Sequence, residues 1–180
     1  KVLTGGLALD AVDNTILKLD DDYALTGTIS GVGKVLQVKQ GFLITGIAFN
    51  DTSYRATGLN VSITPSSTSS KILLTTSFGT GYSTSNQGTT YTFYKDSTNL
   101  DLSSGRTGFA HMGHSGIGAT ATYFMRQISM TFLDSPSSTS ALTYAVYCKV
   151  DGGTGYWNMN QNGDASSRAT AIITAMEIGV

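Results

Sequence analysis

The composition of the chain favours β-strands and turns and disfavours helices. Ser and Thr together account for 47 of the 180 residues, Gly accounts for 21, and Glu occurs once, at Glu177. Ser, Thr and Gly form helices poorly, whereas β-branched and aromatic residues favour strands. An all-helical fold is therefore excluded, and alternating helix–strand folds are disfavoured. Hydrophobic residues make up 40% of the chain, which is enough for one core and argues against intrinsic disorder.

Apolar and polar residues alternate along several segments, as expected for strands that bury one face. The clearest segment is 142–150, where every second residue is apolar. The residues between them, which point to the other face of the strand, are Thr143, Ala145, Tyr147 and Lys149. About eight such segments occur, at the spacing typical of antiparallel sandwiches and barrels. The sequence therefore predicts an all-β fold, namely an antiparallel, jelly-roll-like β-sandwich of about eight strands.

A cluster of turn residues separates two of these segments. Residues 65–70 read PSSTSS and lie between the alternating segment 59–63 and the apolar segment 71–78. Consecutive strands joined by a short connection usually pair with each other. We therefore expect these two strands to form a hairpin.

The first 33 residues differ from the remainder of the chain. They carry five Asp and two Lys, and Gly, Asn and Asp interrupt their short apolar pieces. Such a segment cannot bury enough apolar surface to offset its backbone entropy. We expect residues 1–33 to be an N-terminal shaft or docking segment wound with partner chains, and residues 34–180 to be the β-sandwich. A flexible tail is the alternative for 1–33, and a start at Lys1 is compatible with a fragment or a processed product.

Charge and hydropathy exclude several classes of partner. The formal net charge is −1, and no basic stripe that would hold a nucleic-acid backbone is present. No apolar run approaches the roughly 20 residues of a membrane helix, so we expect no membrane insertion. Cys148 is the single cysteine and has no internal disulfide partner. The fold must be stabilised by its core or by partner chains.

The two histidines do not make a convincing metal site. His111 and His114 are three residues apart, a spacing that suits ligands on one helical turn, but they lie among Gly and Ser. Two ligands are incomplete for zinc. We interpret them as loop residues and predict no metal, the alternative being an ion shared between copies of the chain in an oligomer.

The sequence shows no pair of acidic residues that could act together in catalysis. Glycosidases require two carboxyl groups that flank a cleft, and Glu177 lies in the last predicted strand. The remaining candidates adjoin turn residues, where Asp commonly binds local backbone. These candidates are Asp101, Asp134, Asp151 and Asp164. The sequence predicts no enzyme, no catalytic residue and no cofactor.

Three aromatic residues lie in or beside long loops, where binding sites on β scaffolds usually occur. Tyr82 lies in the loop 79–89, and Tyr156 and Trp157 lie beside the loop 151–169. Aromatic side chains stack on sugar rings and anchor protein interfaces. We therefore name these three residues as candidate binding residues. The alternative is that they pack at the edge of the sandwich.

Three stretches are distinctive in combination, namely GLNVSITPSSTSSKIL at 58–73, FLDSP at 132–136 and AIITAMEI at 171–178. Together they resemble a family of structural proteins from tailed bacteriophages. The family comprises tail-fibre-like and other virion proteins common among marine and cyanobacterial phages. The Asp-rich sequence 19–27 is also similar to the shaft-to-knob junction of phage fibres. The resemblance covers roughly residues 34–180 and implies a jelly-roll-like knob, typically homotrimeric, on a fibre or spike.

From this resemblance we expect a virion protein, most simply a trimeric tail-fibre knob for host attachment. Its expected partners are two further copies of the chain, other virion proteins through residues 1–33, and a glycan or protein on the host surface. A capsid-borne head fibre or decoration protein is the alternative within the same family. A carbohydrate-active tailspike enzyme is the alternative from another class, for which the chain offers no acid pair.

Overall fold

A computed structural model describes five parts of the chain, with the backbone alone at 111–113. These parts are residues 33–82, 88–101, 108–113, 125–160 and 168–179. They contain eleven strands and no helix. The strands are β1 (Lys34–Leu43), β2 (Ile47–Phe49), β3 (Arg55–Ile63), β4 (Lys71–Tyr82), β5 (Gly88–Lys95), β6 (Thr98–Asn99), β7 (Ala110–Gly113), β8 (Arg126–Asp134), β9 (Leu142–Val150), β10 (Gly155–Trp157) and β11 (Ala171–Gly179). Within these parts of the chain, no helix is long and apolar enough to cross a membrane.

The strands form two antiparallel sheets. In the first sheet β1 pairs with β11, β11 with β4, and β4 with β8, while β10 pairs with the end of β4 and with β2. In the second sheet β3 pairs with β9 and β9 with β5, and β6 and β7 pair with the other side of β5. Apolar residues of both sheets contribute to one core. The predicted all-β antiparallel sandwich is confirmed.

The core follows from the alternation of side chains along each strand. In β9 the buried positions are the alternating apolar residues identified in the sequence, and the positions between them are half-buried. The centre of the core is aromatic. The centroid of the Phe78 ring lies 4.1 Å from that of the Trp157 ring and 4.8 Å from that of the Tyr91 ring. The Tyr91 hydroxyl forms a hydrogen bond with Thr80, so its polar tip is satisfied inside the core.

The structure corrects the predicted hairpin. The two strands on either side of residues 65–70 belong to different sheets, because β3 pairs with β9 and β4 pairs with β8 and β11. The connection crosses from one sheet to the other and is held there by side chains. Gln37 donates to the carbonyl of Thr64, and the backbone and hydroxyl of Ser66 donate to Glu177.

The strand count also exceeds the predicted number of about eight. Four of the eleven strands, β2, β6, β7 and β10, have only two to four residues. Segments of this length are too short to show a periodic pattern. The described fold begins at Gly33, and the role predicted for the N-terminal segment falls on residues 1–32, outside the described residues.

Candidate functional site

Two of the three aromatic residues predicted to contact a ligand lie in the core. Trp157 has no exposed surface, and its ring packs against that of Phe78. Tyr82 is 3% exposed, and its hydroxyl donates to the carbonyl oxygen of Gly152. This corrects the prediction that the two side chains present their faces to a partner. Both residues occupy inward positions of strands that the alternating segments of the sequence do not cover at these points. Their contacts are therefore packing contacts of the sandwich, which is the alternative given above.

Tyr156 remains available as a contact residue. It is half-buried in β10 and faces away from the core, because its neighbour Trp157 faces inward and successive side chains of a strand alternate between faces. In the ladder it lies opposite Gly81 of β4 and Ala48 of β2. Its role in binding stays a prediction.

One of the acids considered in the sequence, Asp134, lies in a contact between the two sheets. Asp134 is buried and accepts hydrogen bonds from Lys95 at 3.0 Å and from the Tyr144 hydroxyl at 2.7 Å. Burial and this contact with Asp134 raise the pKa of Tyr144. The arrangement links β8 of the first sheet to β5 and β9 of the second. The described residues contain no group of three side chains able to hold a metal, and the side chains of His111 and His114 and the carboxyl of Asp164 lie outside them.

A cluster of three tyrosines lies on the outer face of the second sheet. Tyr147 stacks on Tyr94, with ring centroids 3.8 Å apart and an angle of 18° between the ring planes. Tyr54, just before β3, meets Tyr94 edge-on at 6.2 Å. The Lys149 ammonium lies 4.8 Å from the centre of the Tyr54 ring. All four side chains are half-buried, so each keeps some surface in contact with solvent.

The register of the second sheet creates the tyrosine cluster. Tyr94 lies opposite Ala145, and Tyr147 lies opposite Thr92, so the two tyrosines are diagonal neighbours. Diagonal neighbours on one face are within reach of aromatic rings. The small side chain of Ala145 leaves the space beside Tyr94 open, and Tyr147 fills it. The cluster is thus held by a paired sheet rather than by a loop.

Burial keeps the phenol groups of Tyr54 and Tyr94 neutral across the physiological range, because it raises the pKa of both. Burial, followed by the charge of Asp101 and the proximity of Tyr94, raises the pKa of Tyr54 to about 12. Burial and the proximity of Tyr147 raise the pKa of Tyr94. The Tyr54 hydroxyl is buried and has no hydrogen-bond partner among the described residues. The site therefore combines aromatic surface with one nearby ammonium.

Such a surface is suited to binding rather than to a reaction step. Rigid aromatic rings provide large contact areas with little loss of side-chain entropy, and their hydroxyl groups add directed hydrogen bonds. The sequence places Tyr147 on the outward side of its strand, but it does not bring Tyr54 or Tyr94 beside it. That arrangement depends on the pairing of β9 with β5 and on the approach of the residues before β3.

No family model matches the chain, and comparison with curated proteins finds no significant similarity.

Proposed function

We propose that the chain is a structural protein of a bacteriophage virion, in which the β-sandwich is a knob that attaches a tail fibre to the host. The tyrosine cluster is the observation that supports a role in host attachment, because it is a pre-positioned aromatic surface on a paired sheet. The resemblance of 58–73, 132–136 and 171–178 to tail-fibre-like proteins supports the assignment to a virion. The ligand is a glycan or protein of the bacterial surface that presents a flat or amphipathic group to the rings.

Particle imaging tests the virion assignment. Antibodies against the full chain, labelled with gold, are applied to virions produced from the genome that encodes it. Label at the ends of tail fibres is the expected result. Label spread over the capsid would replace the tail assignment by a head-fibre or decoration role, and unlabelled particles would overturn the virion role.

Cell binding tests the attachment site. The fluorescently labelled chain is incubated with a panel of marine and cyanobacterial cells, and bound protein is measured by flow cytometry. Tyr94→Ala and Tyr147→Ala are each expected to weaken binding at least about tenfold, because aromatic anchors concentrate binding energy.

Two matched variants make this test specific. Tyr147→Phe keeps the stacked ring and should retain most binding, and Tyr156→Ala tests the contact residue predicted from the sequence on the other sheet. A loss with Tyr156→Ala alone would move attachment to the first sheet. Wild-type binding by all the variants would exclude both surfaces.

A further inference from the structure

The outer face of the first sheet is unusually apolar for a surface in contact with water. We define it by the outward positions of its four long strands, together with Tyr156 at one end. These positions are Val35, Val38, Gln40 and Phe42 in β1; Ile172, Thr174, Met176 and Ile178 in β11; Lys71, Leu73, Thr75, Ser77 and Gly79 in β4; and Gln127, Ser129, Thr131 and Leu133 in β8.

One row of large apolar residues crosses this whole face. The register places Val38 opposite Met176, Met176 opposite Leu73, and Leu73 opposite Leu133. The two outer members are 54% and 47% exposed. On the same face Phe42 is 71% exposed. These exposures belong to one contiguous surface, which distinguishes them from the scattered apolar residues that every protein surface contains.

The same face is almost without charge. Lys71, at one end, is the only charged side chain among its outward positions in the described strands. The row of residues beside the apolar row carries no charge. Within it, the Gln40 amide donates a hydrogen bond to the Thr174 hydroxyl at 3.2 Å. The free face of an antiparallel sheet normally carries polar and charged residues. This face is therefore built to be covered.

The edge of the sheet is protected, although its face is not. A bulge between Val35 and Gln37 interrupts the pairing of β1 with β11. Lys39 occupies an inward position of β1, opposite Ala175, and is nevertheless exposed. Bulges and inward-pointing charges at an edge strand disfavour the addition of another strand. A partner must therefore pack on the face rather than extend the sheet.

The absence of charge favours an identical chain as the partner. An uncharged surface offers nothing to an acidic or basic partner, whereas two copies of it meet without repulsion. Four strands spaced about 4.8 Å apart and about eight residues long cover roughly 500 Å². Two such faces in contact bury roughly 1,000 Å², which reaches the lower limit for a specific protein interface.

We infer that the outer face of the first sheet is the surface through which copies of this chain associate. The location of the interface follows from the face itself. Two whole faces in contact give a pair of copies, whereas the three copies expected from the function proposed above require each face to be shared between two neighbours.

Charge substitutions at exposed positions of the face test the inference. Val38→Lys and Leu133→Lys are made in the full chain, and masses are measured by light scattering and sedimentation at micromolar concentration. The matched control is Ser62→Lys, at an exposed position on the outer face of the second sheet. Wild type and control should associate, whereas each face variant should associate at least about 100-fold more weakly, because an unpaired ammonium would be buried in the contact. Circular dichroism checks that all the chains fold.

The outcomes separate this inference from the proposed function. A wild-type monomer near 18.9 kDa at micromolar concentration, or folded face variants that associate like wild type, would overturn the interface. Gold labelling of fibre ends would leave the virion role intact in either case. An oligomer that the face variants dissociate, in a chain absent from virions, would support the interface and reject the function.

Discussion

At the scale of single residues, Glu177 closes one end of the sandwich. Its carboxylate accepts hydrogen bonds from the backbone and hydroxyl of Ser66, at 2.7 and 2.6 Å, and from the Gln37 amide at 2.7 Å. Burial raises the pKa of Glu177, but these bonds, with a contribution from Ser70, outweigh it and lower the pKa to about 2. The residue thus fixes the crossing between the two sheets, a role that no sequence motif reveals.

Replacing Glu177 by Gln should make the stability of the fold less dependent on pH. A carboxylate whose folded pKa is lowered contributes stability above its unfolded pKa, near 4.5, and loses it as the pH falls towards 2. Glu177→Gln should therefore lower the free energy of unfolding by about 1–3 kcal/mol at pH 7, and the difference should shrink between pH 4.5 and 2. Urea unfolding at fixed protein concentration measures both quantities. A difference that is constant with pH would contradict the assigned role.

Trp157 provides a second test at this scale. Because its side chain is fully buried against Phe78, Trp157→Ala should lower the free energy of unfolding by about 3–5 kcal/mol. Trp157→Phe should cost less, since it leaves a smaller cavity. Trp157 is the only tryptophan, so unfolding is followed by far-ultraviolet circular dichroism. An alanine variant of wild-type stability that no longer binds cells would restore the ligand contact predicted from the sequence.

At the scale of elements, strands with a buried face could be located from the sequence, but their partners could not. The alternation in 142–150 predicts β9, and that in 59–63 predicts the end of β3. A turn-rich connection between two strands is equally compatible with a hairpin and with a crossing between sheets. The side chains of Glu177 and Gln37 favour the crossing, and they lie far from the connection in the sequence.

Gly41 permits the close approach of β1 to the second sheet. A Cβ atom at this position would lie 1.9 Å from the carbonyl oxygen of Asn60 in β3. Gly41→Ala therefore forces one strand to move and should destabilise the fold by about 1–3 kcal/mol. Thermal unfolding measures the loss, with Gln40→Ala as the neighbouring control on the outer face. Equal unfolding temperatures for the two variants would show that β1 moves without cost.

At the scale of the whole molecule, composition and alternation were sufficient to predict the sandwich, but they did not reveal which residues meet on its surfaces. The tyrosine cluster combines residues from three separate parts of the chain, and the apolar row combines four strands. Both depend on register, which the local sequence does not determine. The side chains of β1 are largely exposed, so this strand shows little of the pattern by which a buried face is recognised. Its exposed residues become informative only when they are seen beside β11, β4 and β8.

Self-association should survive removal of the N-terminal segment. All residues of the proposed interface lie in the compact unit formed by 33–180, so a chain that begins at Gly33 retains the complete face. At micromolar concentration it should contain the same number of copies as the full chain, and Val38→Lys should reduce this to a monomer, as in the full chain. Light scattering on both lengths, with and without the substitution, makes the comparison. A truncated monomer alongside an associated full chain would place the main contact in residues 1–32, because the outer face alone would then be too weak to hold the copies together.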